Sequence, residues 1–264
     1  MRELFDEAAG QSETNPMEAA RRGTRAPRRK RFYADAGVGE GDGGFTVTLD
    51  GKPIKTPSGR TVIVPERGLA ETIAAEWTKQ GEFIEPLTMP VTRFANSVVH
   101  GVVDNAAAVS DDVAKYFASD LLFYRAGYPE GLVAREAQHW DPILFWAAQT
   151  LGAHFMLAQG VMPVRQPDQA IAAARGALPA DPWAIAALHV ITTVTGSALL
   201  ALALFHGVIA PDQAWAAAHV DEDWNAEKWG VDEEVVTRKA AKLVDFQAAT
   251  GVLKALNKDA RHVD

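Results

Sequence analysis

Hydrophobic and polar residues alternate with period two between Phe32 and Pro65 and then recur at helical spacing over most of the remaining chain. Phe45-Thr46-Val47-Thr48-Leu49 reads as a strand. Asp50-Gly51 is a favoured two-residue hairpin turn, and Lys52 to Thr56 returns with Ile54 as its apolar member. Pro57-Ser58-Gly59 marks another turn, and Thr61 to Val64 reads as a third strand that Pro65 ends. The expected sheet is small and antiparallel.

Beyond Pro65, Leu69, Ile73, Ala74 and Trp77 share one helical face until Gly81 supplies a stop, so Trp77 is expected to point inward. Phe94, Val98, Val99 and Val102 form a second stripe, and Val109, Val113, Tyr116 and Phe117 a third. From Asp141-Pro142 onward the pattern predicts helices over 142–157, near 167–177, and over 182–194, 198–207, 211–229 and 232–256. The fold class is therefore α+β. A basic arm (1–31) precedes a small β-rich N-terminal domain (32–111, with helices at its end) and a larger all-α C-terminal domain (112–264).

Composition narrows the chemistry. The 264 residues, 48% hydrophobic and 23% charged, suffice for one large core or two smaller ones. There is no cysteine, which removes thiolate catalysis, Cys-ligated zinc and iron–sulfur clusters and fits a reducing cytoplasm or matrix. Through Arg31 the chain holds eight basic and five acidic residues; the rest holds 18 basic and 29 acidic, a net −11. So acidic a body is a poor nucleic-acid binder and suits a basic protein partner. The arm lacks the apolar run of a secretory signal, and its five acids argue against a transit peptide, so it reads as a solvated tail.

Pro182 to Pro211 contains no Asp, Glu, Lys or Arg across 30 residues, long enough for a membrane span. Thr192, Thr193, Thr195, Gly196 and Ser197 interrupt its middle, and helix-start signals at Asp181-Pro182 and Ser197 divide it. Two central helices of an all-α core are expected there, with no membrane insertion.

Catalytic signatures are mostly missing. Gly39 to Gly44 satisfies GxGxxG, yet it precedes a strand rather than opening a helix, and Glu40 and Asp42 sit where pyrophosphate would lie, so it reads as a loop. Neither GxSxG nor HExxH occurs, and no two histidines are three to five apart, so no metal site is expected. His100 and Asp104 share a helical spacing, as a surface hydrogen bond would. Arg93 and Asn96 near a helix start could hold an anion or serve the helix end.

The most informative stretch is Trp215 to Gly230, WAAAHVDEDWNAEKWG. Taken as one helix, it puts Trp215, Glu222 and Trp229 on a common face, with Asp221 and Asp223 flanking. A carboxylate on a tryptophan face needs an internal cationic partner or a site open to an incoming one.

The ordered blocks KRFY, DGKPIKTPSGR, AAEWTKQ, MPVTRFANS, DLLFYR, HWDPILFWA and DEDWNAEKWG, from Arg31 to Leu256, resemble the Atp-twelve family of assembly chaperones for the α subunit of F₁ ATP synthase. The resemblance implies a non-catalytic protein without cofactor that shields the subunit interface of α and releases it into the α/β hexamer; a monomer when free is expected because the chain has neither a heptad zipper nor a repeat array. It implies client-binding acids at Glu222, Asp221 and Asp223, and a structural Trp77, with Trp215 and Trp229 in structural roles beside the acids. An open face or edge of the small sheet is the expected source of apolar client surface. The competing reading is a small-molecule enzyme with an interdomain cleft and Glu222 or His100 as general base.

Overall fold

The computed structural model describes residues 29–160 and 162–259. The arm expected at 1–31 therefore lies outside the described residues up to position 28. Two compact units emerge. The smaller, up to Phe32 with Lys79–Glu85, is stitched by the Lys30–Phe83 bridge, Arg31 N–H to Glu82 O (2.8 Å) and Arg31 Nη1 to Gln80 O (2.7 Å).

The larger unit, Tyr33–Thr78 with Pro86–Asp264, begins with strands β1 (Ala36–Gly41), β2 (Gly44–Leu49), β3 (Lys52–Pro53) and β4 (Ile63–Val64). β1, β3 and β4 all pair antiparallel with β2. Asp50 and Gly51 take φ of 50° and 77°, the positive values that a type I′ hairpin turn needs. Asp50 Oδ1 also accepts from the Ala34 and Asp35 amides at 3.0 and 2.9 Å, fixing the chain's entry to the sheet.

β1 corrects the reading of 37–44 as a loop. Its glycines alternate along one face, where a Cβ on Gly39 would stand 3.3 Å from Thr48 Cγ2 and one on Gly41 3.3 Å from Ile63. A partner strand of regular alternation recruits a segment that has no β propensity of its own. The opposite face, with Val47 and Leu49 buried, packs on helix α1 (Arg67–Thr78) through Leu69 and Ile73. α1 in turn starts helix α2 (Pro90–Ser97): Glu76 accepts from the Val91 and Thr92 amides at 2.8 and 2.7 Å and from Thr92 Oγ1 at 2.6 Å. A carboxylate from a neighbouring helix thus supplies the N-terminal cap that Met89 lacks.

A π-helical turn (Val98–Val102) leads to α3 (Ala106–Lys115). Asp111 lies inside α3, and a division of the chain there stays a proposal about folding modules. α4 (Glu130–Trp146) starts earlier than Asp141-Pro142 suggested, and Pro142 sits in its interior. A π-helical turn to Leu151 comes next, and Gly152 at φ 70° ends it, so 152–157 is irregular rather than helical. β5 (Tyr124–Arg125) and β6 (Ala158–Gln159) then pair in parallel. α5 (Asp168–Gly176) precedes the central pair, α6 (Pro182–Thr195) and α7 (Ala198–Phe205).

α6 and α7 are the core. Residues 198–204 are all buried, as are Trp183 to Leu188. Asp181 caps α6 by accepting from Ala184 N–H (2.8 Å), Gly196 ends it at φ 75°, and Ser197 caps α7 by accepting from Leu200 N–H (3.0 Å). No described helix is long and apolar enough to cross a membrane. α8 (Pro211–Ala218), α9 (Val220–Trp229) and α10 (Glu233–Asp259) complete the unit, α10 lying along α6.

Candidate functional site

The stretch 211–229 is not one helix. His219, at φ −120° and ψ 16°, ends α8 and begins α9. Its ring is buried, lies 4.0 Å from the Trp215 ring, and bonds through Nδ1 to Trp215 O at 2.8 Å. Burial pushes the imidazole pKa down, so the neutral ring that fits this pocket is favoured. An aromatic stacked in the interior and tied to the preceding turn breaks the helix. No local stop signal in the sequence announces it.

The break re-sorts the faces. Trp215 packs on Phe246 of α10, with ring centroids 5.1 Å apart. Trp229 is 78% exposed, so it does not take the structural position beside Glu222 expected of it. Glu222 has a side chain 56% exposed, with His219 Nε2 3.9 Å away. Asp223 pairs with Lys239 of α10. Trp77 sits in α1, half-buried, its carbonyl accepting from Tyr33 OH at 2.6 Å and its ring edge-on to Tyr33. Its Nε1 is buried without a hydrogen-bond partner.

Asp221 is only half-buried; the buried acid of this region is one that sequence reasoning missed. Glu136 of α4 is 1% exposed, and its Oε2 accepts from Ala126 N–H at 2.9 Å. The Asp221 carboxylate of α9 acts on it electrostatically. Burial, reinforced by the neighbouring carboxylate, pushes Glu136 up to about 7, and burial pushes Asp221 up as well. Asp221 Oδ1 has no partner. In REAQHW nothing distinguishes Glu136 from a solvated helix acid; only the approach of α9 buries it.

α9 is held to α4 along the rest of its length too. The Trp224 ring lies so close over Gly131 that a Cβ there would come within 2.6 Å of Cη2. Arg135 grips Glu227 through both carboxylate oxygens, at 2.7 and 3.0 Å, and stacks 5.1 Å from the Trp224 centroid.

The other sequence candidates lie elsewhere. His100 Nδ1 meets Ser58 Oγ at 3.0 Å, while Asp104 takes Arg60 at 2.6 Å, so the two do not form a pair. Arg93 is held by Asp245 at 2.9 Å. Among the described residues no His, Asp and Glu cluster could hold a metal ion. An open groove of about 460 Å³ runs between α2, α3, α6 and α10, lined mainly by Pro90, Phe94, Val98, Val109, Val190 and Ala248. Glu222 is not part of its wall.

Exposed apolar side chains also lie away from the sheet. Among the described residues, no strand from β1 to β4 carries one of the large exposed hydrophobics. They include Leu87, Tyr128, Phe145, Met156 and Met162, and a group where α9 meets α10, at Trp229, Val231, Val235 and Val236. The expectation of an open apolar sheet face is corrected accordingly, because α1 covers the apolar side and the other carries glycine and threonine.

Comparison with known proteins decides the family. Atp12 from Paracoccus denitrificans is 37% identical, with a TM-score of 0.80 over 86% of this chain and 98% of that one. This chain belongs to the ATP12 chaperone family. The family model for ATP12 chaperone protein matches residues 30–148. A protein from Agrobacterium tumefaciens is 46% identical, with a TM-score of 0.83 and 96% of each chain covered. The mitochondrial protein atp12 of Schizosaccharomyces pombe is 22% identical, over 88% of this chain and 84% of its own. Among the described residues of this ATP12 member, a small strand region is followed by ten helices, an α+β architecture that matches the Paracoccus fold.

Proposed function

We propose that this ATP12-family chaperone serves ATP synthase assembly by binding the unassembled α subunit of F₁, shielding its subunit interface and releasing it into the α/β hexamer. The observation that carries the reading is the match to Paracoccus Atp12 along nearly that protein's whole length. The surface chemistry supports it. An unassembled subunit exposes apolar interface that aggregates unless covered.

The α9–α10 junction offers what such a client needs: Trp229, Val231 and Val236, each more than half exposed, surrounded by Glu222, Asp223, Asp232, Glu233 and Glu234. Aromatic and aliphatic groups supply the buried contact. The acids add encounter rate and partner choice against a basic client surface. Glu222 and Asp223 are the client-facing acids of this reading, whereas Asp221 is turned toward α4. The protein acts as a monomer, without catalysis or cofactor, in the cytoplasm, or in the matrix of a eukaryote.

Co-expression with the α and β subunits tests the proposal. Soluble α should be retained on the tagged chain and displaced when β is added. Failure to retain α, with the chain itself folded, would overturn it. Glu222→Lys combined with Trp229→Ala should lower the α recovered about tenfold or more, the loss expected when an aromatic anchor and its charged neighbour go together.

A further inference from the structure

We infer that the outer edge of β1 is a strand-addition site for an extended, cationic polypeptide segment. β1 stands at the end of the order β1-β2-β3, so it has one edge paired to β2 and one free. The bonding pattern fixes which residues face outward. Gly41 and Gly44 close the two-residue turn Asp42-Gly43, and Val47 O accepts from Ile54 N–H at 2.8 Å on the far side of β2. Bonded and non-bonded pairs alternate along an antiparallel ladder. Gly37, Gly39 and Gly41 therefore bond to β2, while Ala36, Val38 and Glu40 turn their N–H and C=O groups away from it. None of those outward groups has a hydrogen-bond partner among the described residues.

Natural sheets blunt such an edge with proline, lysine, a bulge or short length. β1 contains no proline or lysine, and its register with β2 runs unbroken from Ala36 to Gly41. It is also as long as β2, whereas β3 and β4 span two residues each. A row of donors and acceptors at strand spacing matches one ligand class, a polypeptide in extended conformation. The glycines make room for it. On the face away from α1, Gly37, Gly39 and Gly41 present no side chain, so bulky residues of an added strand can lie across them.

Charge chooses the segment. Asp35, Glu40 and Asp42 are exposed along and beside this edge, and none of them forms an ion pair among the described residues. Lys52, in β3, stands on the far side of β2. Two copies of β1 paired about a two-fold axis would bring these acids together, which disfavours a second copy of this chain as the occupant. A basic segment gains from the same acids. That the segment belongs to the client rests on the proposed function; the free edge does not.

Amide hydrogen exchange on the full chain, read residue by residue with and without a short peptide alternating arginine and valine, tests the edge. In the free chain the Ala36, Val38 and Glu40 amides should exchange fast and the Gly37 and Gly39 amides slowly. With peptide, protection of the outward amides should rise roughly tenfold or more, and that of the inward ones much less. The same peptide N-methylated at alternate amides keeps its charge, loses its donors and should bind roughly tenfold more weakly. Val38→Pro removes an outward donor that the fold does not use and should weaken binding by a similar factor. Glu40→Lys, which leaves the backbone intact, should also weaken it and serves where the proline variant fails to fold.

Outward amides already protected in the free chain, or no added protection with peptide, overturn the inference. So does binding indifferent to N-methylation, which is adsorption by charge alone, and so does protection that grows with the concentration of the chain by itself, which is a second copy. Peptide protection is measured without α subunit and α capture without peptide, so the edge and the client reading can fail independently.

Discussion

Asp120 and Glu136 are both buried acids in the helical part of the molecule, yet they are served in opposite ways. Asp120 precedes the short helical turn Leu121–Phe123, accepts from Leu122 N–H through Oδ1 (3.2 Å), and reaches across to Leu199 N–H at the start of α7 through Oδ2 (3.1 Å). Burial pushes it up to about 6, against the pull of these donors and of Ser197. Glu136 has a single backbone donor and a second carboxyl in front of it. Backbone amides are fixed and always available, so Asp120 fastens two core segments. Glu136 has less to offset its burial, so its ionised form is the more poorly served of the two.

The sharpest way to break this contrast is Asp120→Ala. It strands the Leu122 and Leu199 amides in the core and should cost about 3 kcal/mol, read as a lower urea midpoint at unchanged m. A loss under about 1 kcal/mol would show that Asp120 is no fastener. Next in size is the response to pH. Both acids keep their protons longer in the folded chain than in the unfolded one, so the native state binds more protons, and stability falls as pH rises from the ordinary carboxylate range through about 6 for Asp120 and about 7 for Glu136. The loss per retained proton is about 1.4 kcal/mol per pH unit. Glu136→Gln should remove the part of that slope nearest pH 7 and leave the Asp120 part; identical slopes in the two proteins would refute the assignment.

Gly131→Ala comes third. Its new Cβ meets Trp224, α9 must shift, and a loss of about 1–2 kcal/mol is expected, concentrated in exchange of residues 220–229 rather than in the α6–α7 core. The smallest effect belongs to Arg135→Ala. Its pair with Glu227 is on the solvent side, so a double-mutant cycle should return a small coupling that high salt removes. A coupling that survives high salt would mean that this pair, rather than the packing of Trp224 on Gly131, holds α9.

The fold was legible in the sequence wherever the deciding physics is local. The Asp50-Gly51 turn, the Asp181-Pro182 start and the Gly196-Ser197 break act through their own backbone and side chains, and each stands where its residues put it. Elements decided by a distant neighbour were illegible. β1 is a strand because β2 pairs with it, in spite of three glycines. Pro142 carries the same signal whether it opens a helix or sits inside one, and α4 begins at Glu130. The site suffered most: a regular helix over 211–229 put Glu222 inward, whereas the turn at His219 exposes Glu222 and sends Asp221 toward Glu136. The family likeness, by contrast, was legible because it rests on the order of many short blocks and not on where any one side chain points.

The packing of α10 along α6 has a further implication for the chaperone's own birth. α6, like α7, carries no Asp, Glu, Lys or Arg, and part of the surface that covers it belongs to a segment translated well after it. A ribosome-bound chain thus leaves part of this apolar stretch uncovered until α10 emerges, so a member of a chaperone family has a vulnerable surface of its own during synthesis.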